Sequence, residues 1–514
     1  MTSRLTANDA ARTGAQGEVG RDSRRWSALV FIALAQLMGA LDATIVSIAL
    51  PSAQSALHIS DANRQWMITA YTLAFGGLLL TGGRVADYVG RKRTFVIGLA
   101  GFATASALGG VAVNTGMLIG ARALQGAFGA LLAPTVLSLI ATTFTLPKER
   151  AKAFAVFGAI AGGGGAAGLI LGGLLTEYLN WRWCLYVNVP IAIVTATGGW
   201  YLIDGGPSGG PSGSPANGPS GSSANGHAGG QAGGPDRRPR FDVPGVILGG
   251  GGLVSVVYAC AEAVGSGWRA PFVLGLLVTG AALLTAFVVV ETRVAAPLLP
   301  MRILLDRNRG GAYLAVALTV AGMFGLFLFL TFYLQVVLRY SPVRAGLAFL
   351  PLSAAVLASS GGIASRLLPY VAPRTLMVPG LTVAAAAMVL LTRLGTDSGY
   401  VSYVLPAEIL LGLGIGCVFV PAISTATQRI DRRDAGVASA VVNTSQQVGG
   451  SVGTALLNTV AATATTSYLA IHPRGATAGL VHGYAVAAGW GAGILLAAAI
   501  LSLVLIDAGR PESG

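Results

Sequence analysis

Charged side chains are scarce in this sequence, since Asp, Glu, Lys and Arg make up only 10% of its 514 residues. In soluble domains, about a quarter of the residues are charged. The shortage therefore excludes a disordered chain, a nucleic-acid-binding domain and almost any soluble enzyme. Hydrophobic residues account for 54% and the mean hydropathy is +0.69. These values predict a polytopic membrane protein.

Residues that commonly hold cofactors are also rare. The three cysteines, Cys184, Cys260 and Cys417, all lie in apolar runs, where we expect small buried side chains rather than a disulfide framework or a zinc site. The dipeptide Gly-Lys is absent, which excludes a Walker-type phosphate loop. We therefore expect no metal, no cofactor and no enzymatic activity.

The apolar residues form fourteen runs, each long enough to cross a bilayer as a helix at about 1.5 Å per residue. They cover residues 27–50, 65–83, 94–112, 116–142, 153–176, 184–203, 243–263, 271–290, 310–337, 345–365, 375–392, 401–425, 436–462 and 481–506. A stretch of Gly, Pro, Ser and Asn interrupts the series after the sixth run and is typical of a flexible linker.

The predicted fold is all-α, with two six-helix bundles and two additional transmembrane helices. An internal repeat supports two related bundles, because the spacing from Gly129 to Pro134 equals the spacing from Gly416 to Pro421. Such repeats are typical of secondary transporters. The predicted parts are a tail (1–26), a bundle (27–203), a linker (204–242), two extra helices (243–290), a second bundle (291–507) and a short tail (508–514).

The positive charge of +13 follows from topology rather than from an acidic partner. Of the 33 basic residues, 25 fall on the side of the N-terminus and 7 on the opposite side, with Arg122 left inside a run. Basic residues favour the cytoplasmic side. We therefore expect both termini in the cytoplasm, a multi-pass protein in the cell membrane, and no nucleic-acid partner.

One acidic residue, Asp42, lies inside the first apolar run. A carboxylate in hydrocarbon costs several kcal/mol, so it must face a cavity, pair with another group or hold a proton. A carboxyl group in a low-dielectric site holds its proton more tightly than in water. Asp42 is therefore a candidate for proton coupling or substrate contact, and a neutral structural Asp is the alternative.

A charged turn joins the second and third runs. Its glycines, Gly83 and Gly90, permit a tight turn, and Asp87 can cap the next helix or pair with a basic residue. The basic residues are Arg91, Lys92 and Arg93. This turn is a candidate latch that holds one conformation, and plain cytoplasmic anchoring is the alternative.

Several motifs together resemble the major facilitator superfamily. The turn at 83–93 resembles its motif A, and the segment with Arg122, Gln125, Gly126 and Gly129 resembles its motif B. The block from Leu41 to Val46 is similar to the first-span motif of fourteen-helix drug:proton antiporters. The resemblance implies a two-bundle rocker-switch fold, exchange of drug-like molecules for protons, and a proton-transfer role for Arg122 that faces Asp42. For Arg122, a fixed hydrogen-bonding residue between helices is the alternative.

Further residues are predicted to support gating or bind substrate. Gly168, Gly172 and Gly173 allow close helix approach, and Leu169 stands where these antiporters usually have proline. Glu408, at the start of a run, is a second proton or cation site or a boundary carboxylate that faces water. The remaining candidates, for helix packing or a hydrophobic substrate cavity, are Pro134, Pro421, Tyr71, Phe75, Phe324, Phe327, Tyr333, Gln335, Asn443 and Gln446.

The predicted function is proton-driven export of hydrophobic or cationic drug-like small molecules by alternating access. The proton gradient would be the energy source, and the partners would be the substrate, protons and the lipid bilayer. Within the same class, the alternatives are an exporter of one self-made antibiotic and a proton-coupled uptake symporter. A membrane-embedded enzyme or scaffold is the alternative of another class. The sequence carries no signal for oligomeric state.

Overall fold

A computed structural model describes residues 2–60, 63–144, 146–203, 243–294, 301–428 and 435–509. Within these ranges the regular structure is helical throughout, which confirms the all-α fold. The predicted linker at 204–242 lies outside the described residues, and so do most of the side chains of the predicted N-terminal tail.

The helices are α1 (Thr2–Ala56), α2 (Trp66–Val89), α3 (Arg91–Gly110), α4 (Thr115–Thr143), α5 (Pro147–Tyr178), α6 (Trp183–Tyr186), α7 (Asn188–Leu202), α8 (Val243–Ser266), α9 (Pro271–Glu291), α10 (Met301–Leu304), α11 (Arg307–Phe332), α12 (Pro342–Ala348), α13 (Leu350–Leu357), α14 (Ser365–Leu367), α15 (Pro373–Leu391), α16 (Leu405–Thr427), α17 (Ala435–Ile471) and α18 (Ala476–Leu505). Three short π-helical segments, Tyr333–Val337, Ala358–Ala364 and Tyr400–Val404, connect some of them.

Each predicted apolar run coincides with one helix or with consecutive helices. In the part of the chain that the structure describes, nine helical stretches are long and apolar enough to cross a membrane. The chain is therefore a multi-pass membrane protein, while fourteen crossings stay a prediction. α1 extends from Thr2, so the helix runs through the segment predicted as a tail.

The helices pack as two halves with a separate hairpin. In the N-terminal half, α1 packs against α5 and α7, and α4 packs against α2 and α3. In the C-terminal half, α15 packs against α16 and α18, and α11 packs against α17 and α18. The hairpin of α8 and α9 contacts α2 and α17 through α8.

The two halves meet toward one face of the molecule. We call the face with Trp26 and Gly90 the N-terminal face, and the opposite face, with the α1 end and the α2 start, the distal face. Near the distal face, Gln335 donates to the carbonyl of Ile48 (3.0 Å), and the amide of Val343 donates to Glu177 (2.9 Å). The structure is thus a conformation closed at the distal face.

Glycines permit the close approach of α2 and α4. A Cβ at Gly126 would collide with the carbonyl of Tyr71, and one at Gly129 would lie 2.9 Å from the ring of Phe75. Gly90 is different, because space around it is open but its φ of +97° lies in the region that favours glycine. Motif glycines therefore serve packing in α4 and backbone conformation in the turn.

We predict that Gly126→Ala lowers the thermal midpoint of the purified protein in detergent, because overpacking a tight contact costs about 1–3 kcal/mol. The control is Gly120→Ala on the same helix, since nothing lies within 4 Å of a Cβ there. Equal midpoints for the two variants would contradict the packing role of Gly126.

A buried ion pair as the candidate functional site

An ion pair lies inside the N-terminal half. Nη1 of Arg122 is 2.7 Å from Oδ2 of Asp42, and the two side chains are 2% and 0% exposed. Burying two charges costs several kcal/mol per ion unless pairing and further hydrogen bonds compensate. The surroundings of the pair therefore decide whether it is stable.

Polar side chains satisfy most of the remaining bonding capacity of Asp42. Its Oδ1 accepts from Nε2 of Gln125 (3.1 Å) and from Nδ2 of Asn188 (2.8 Å). Nε2 of Gln125 also donates to the hydroxyl of Ser106 (2.6 Å). Asp42 thus accepts three hydrogen bonds, one at Oδ2 and two at Oδ1.

Arg122 is held from three sides. Its Nε donates to the carbonyl of Met67 (2.9 Å), its Nη1 also donates to Oε1 of Gln125 (2.9 Å), and its guanidinium carbon lies 4.5 Å from the ring centroid of Tyr71. A cation over an aromatic face gains additional attraction when it is desolvated. Arg122 is therefore fixed by α2 as well as by Asp42 and its own helix.

Five helices contribute to this cluster, and each contribution follows from local geometry. Arg122 and Gln125 are three residues apart on α4 and share one face of the helix. Asp42 comes from α1, Ser106 from α3 and Asn188 from the first residue of α7. Met67 and Tyr71 are four residues apart on α2, so both face α4.

The family resemblance pairs Asp42 with Arg122 and places Gln125 in the same motif, but the candidate site residues do not include Ser106 and Asn188. Ser106 is one of several hydroxyl residues in an apolar run, and nothing local distinguishes it. Asn188 is a polar residue at the start of an apolar run, and that position was the available signal. Tyr71 was assigned to a substrate cavity, and the structure places it against Arg122.

The predicted latch residues lie at the N-terminal face. Gly90 ends α2 and starts α3, and a Cβ at Gly83 would lie 3.7 Å from Pro134. Nζ of Lys92 lies 5.1 Å from the ring of Trp200. Arg91 is half-buried and Arg93 is exposed. The Asp87 side chain lies outside the described residues, so the latch stays a prediction.

Glu408 lies apart from this cluster, in the first turn of α16, and is only 1% exposed. A carboxylate that faces water, one of the two sequence-based alternatives, is therefore wrong for this conformation. Its Oε2 is 3.2 Å from the hydroxyl of Tyr400, which also lies 2.7 Å from the carbonyl of Ala348. A phenol has one proton and a carbonyl only accepts, so a protonated Glu408 satisfies both contacts.

The helix-packing candidates lie at interfaces. A Cβ at Gly168 would collide with the Thr44 hydroxyl, one at Gly172 would lie 2.9 Å from the carbonyl of Ile45, and one at Gly173 would lie 2.7 Å from the carbonyl of Pro342. The first two positions therefore bring α5 against α1, and the third brings it against the C-terminal half. Pro421 is buried within α16.

The candidates for a substrate cavity each have their own contacts. The Tyr333 hydroxyl donates to the carbonyls of Gly395 and Ser398, and Phe327 stacks on Phe349 with centroids 5.5 Å apart. Gln335 joins the halves, and Phe75 packs against Tyr71. Asn443 and Gln446 are half-buried on α17, and the Phe324 side chain lies outside the described residues. The substrate cavity therefore stays a prediction.

A membrane-spanning chain of two helical halves, with a charged cluster buried inside the first half, is typical of a secondary transporter. Residues 32–454 match the sequence profile of the Major Facilitator Superfamily. The chain belongs to this family, as the motif resemblance implied, and its partner is a small-molecule substrate.

Relatives and solved structures agree with this family. The chain is 54% identical to the puromycin resistance protein pur8 of Streptomyces alboniger over 95% of this chain and 92% of that protein. It is 35% identical to the cephamycin export protein CmcT of Amycolatopsis lactamdurans over 87% of each chain. The crystal structure of the POT family transporter PepTSo has the same fold, with a TM-score of 0.66, 14% identity, and coverage of 93% of this chain and 97% of that one.

We predict that Arg122→Gln destabilises the protein by about 3–5 kcal/mol, because it leaves the Asp42 carboxylate buried without its counter-charge. The double variant Asp42→Asn/Arg122→Gln should recover much of this loss, since it removes both charges. Thermal unfolding in detergent measures both effects. Additive losses in the double variant would show that the two side chains do not depend on each other.

We predict that Glu408→Gln leaves the thermal midpoint close to that of the parent, because a neutral amide can replace a protonated carboxyl against Tyr400. Asp42→Asn serves as the comparison, since it leaves Arg122 without a counter-charge and should lower the midpoint. A comparable drop in both variants would contradict a neutral Glu408.

Proposed function

We propose that this protein exports a drug-like antibiotic from the cytoplasm in exchange for protons that enter the cell. The observation that carries the proposal is the buried Asp42–Arg122 pair, whose charges sit in the interior of a membrane-spanning half. Ionisable residues inside membrane bundles mark ion and proton pathways by default. The chain would act as a transporter and not as an enzyme, with the proton gradient as its energy source.

Protonation of Asp42 has a direct structural consequence. A neutral Asp42 leaves the Arg122 charge buried and uncompensated, which costs about 3–5 kcal/mol when one partner of a buried pair is removed. A shift of α4 relative to α1 or α2 would then give Arg122 a new environment. The protonation state of one carboxyl thus favours one conformation over the other, which is the requirement for coupling.

The direction of transport follows from the proposed topology. The excess of basic residues at the N-terminal face supports a cytoplasmic location for that face and for both termini. The distal face, where the halves meet, would then be external. In our proposed cycle, Asp42 receives a proton when the distal side opens and releases it when the N-terminal side opens.

The relatives support an antibiotic as the substrate. Both are named for single antibiotics, puromycin resistance in one and cephamycin export in the other. The 54% identity to the puromycin resistance protein makes an aminonucleoside of the puromycin type the first substrate to test. These two names favour export of a single antibiotic. Broad multidrug export is the second candidate function.

Glu408 supports a second proton-carrying position, in the C-terminal half. It is buried, it contacts Tyr400, and its Oε1 has no hydrogen-bond partner among the described residues. A carboxyl group in this setting can hold a proton without a counter-charge. We propose that Glu408 carries a proton independently of Asp42.

We predict that expression of the chain in a drug-sensitive bacterial host lowers the accumulation of labelled puromycin, and that a protonophore abolishes this effect. Asp42→Asn should abolish gradient-driven efflux, because an amide cannot exchange a proton. The matched control is Glu262→Gln. Glu262 lies on α8, away from the cluster, and its carboxylate accepts a hydrogen bond from the hydroxyl of Ser266.

Three results would change the proposal. Efflux that persists without a proton gradient, or full efflux by Asp42→Asn, would remove the coupling role. Net uptake would identify a symporter. Efflux of many unrelated dyes together with puromycin would identify a multidrug transporter rather than a dedicated one.

A further inference from the structure

A row of polar side chains joins α2 of the N-terminal half to α17 of the C-terminal half. The hydroxyls of Thr72 and Ser451 are 2.6 Å apart, and a Cβ at Gly76 would lie 2.8 Å from Cβ of Gln447. This antiparallel register places Thr69 opposite Thr454 and Gln65 opposite Asn458. Nη2 of Arg64 lies 3.5 Å from Oδ1 of Asn458, in agreement with that register.

The row is buried but not fully hydrogen-bonded. Gln65, Thr69 and Thr454 are each 0% exposed, and Asn458 is 1% exposed. Both amide atoms of Gln65, the two threonine hydroxyls and Nδ2 of Asn458 have no partner among the described residues. Each such group costs about 1–3 kcal/mol unless water reaches it, and contact with lipid would be still less favourable.

Helix α8 covers this row from the side. Leu253 and Val257 of α8 face Thr72, Gly76 and Ser451 around a narrow void. α9 packs on α8 and presents apolar side chains to the exterior, including Phe272 and Val278. The extra hairpin therefore separates the polar row from the lipid.

The contacts of α8 with its two neighbours differ in kind. Toward α17, the hydroxyl of Thr459 lies 3.0 Å from the carbonyl of Cys260 and 2.8 Å from the carbonyl of Ala455 on its own helix, so its single proton is shared between the two and gives a directional contact with α8. Toward α2, a Cβ at Gly77 would lie 3.8 Å from Cα of Gly250. Glycines face each other there, so no side chain blocks relative movement.

A second contact with α2 is aromatic. The rings of Trp66 and Tyr258 lie 5.6 Å apart at an angle of 47°. Aromatic pairs tolerate several offset arrangements. The α2 contact is therefore compatible with sliding, whereas the α17 contact includes a directional hydrogen bond to α8.

We propose that the α8–α9 hairpin is a seal carried by the C-terminal half, which moves with α17 and slides over α2 when the polar row opens. The seal keeps lipid out of the row, so that water rather than hydrocarbon meets the separated polar groups. This inference rests on the alternating access of the proposed function, and it assigns a role to the two helices outside the bundles.

Two crosslinks to the same helix test the proposal. One uses Gly77→Cys with Gly250→Cys, to link α8 to α2, and the other uses Thr459→Cys with the native Cys260, to link α8 to α17. Cys184 and Cys417 are replaced by Ser in both double-cysteine variants. Cys260 is also replaced by Ser in the variant that links α8 to α2. A short bis-methanethiosulfonate reagent forms each link, and a reductant removes it.

Substrate exchange across vesicles is the measurement, because exchange requires alternating access but no proton gradient. The α2 link should reduce exchange to the level of vesicles without the protein, and reductant should restore it. The α17 link should leave exchange close to that of the untreated variant. Exchange that survives both links, is lost with both, or is lost only with the α17 link would overturn the proposal.

The same vesicles separate this inference from the proposed function. Thr72→Cys with Ser451→Cys forms a direct link across the row, and its arrest of exchange would show that the row itself must open. If the untreated variants exchange puromycin but show no proton-driven accumulation, the coupling proposal fails while the crosslinks still test the seal. If this direct link permits exchange, the row does not open and the seal is overturned.

Discussion

The structure depends on a charge pair that is stable only while both members are ionised. Asp42 and Arg122 are completely buried, and hydrogen bonds from Gln125 and Asn188 compensate the carboxylate for lost water. A surface ion pair contributes little, but a buried one is costly to break because the remaining charge has no partner. In the proposed function, the cluster would couple a single proton to the packing of several helices.

Helix α2 connects this cluster to the contact between the halves. One side of its first turns presents Met67 and Tyr71 to Arg122, and an adjacent side presents Thr69 and Thr72 to α17. A change in the contacts of Arg122 with α2 therefore acts on the same helical turns that contain the α2 residues of the polar row. The cluster and the polar row thus share one helix, so the proposed proton binding could act on the row through α2 alone.

Much of this organisation was predictable from the sequence. Apolar runs of bilayer length located the helices, and Asp42 and Arg122 stood out because charge is costly in such runs. Ser106 was not predictable, since a serine has the same local pattern whether it bonds a carboxylate or its own helix. The cavity assignment was weak for a related reason: aromatic residues such as Phe327 and Tyr333 pack against the core and backbone in the same way that they bind ligands.

The amide of Asn188 has a property that the charged residues lack. Its nitrogen is committed to Asp42, while its oxygen has no partner within the described part of the chain. Rotation of the amide by half a turn exchanges the two atoms, so the side chain that now donates to a carboxylate would accept from a carboxylic acid. A single asparagine can therefore form a hydrogen bond with Asp42 in both its ionised and its protonated state. Neither a hydrophobic residue nor a second ionised group could do so.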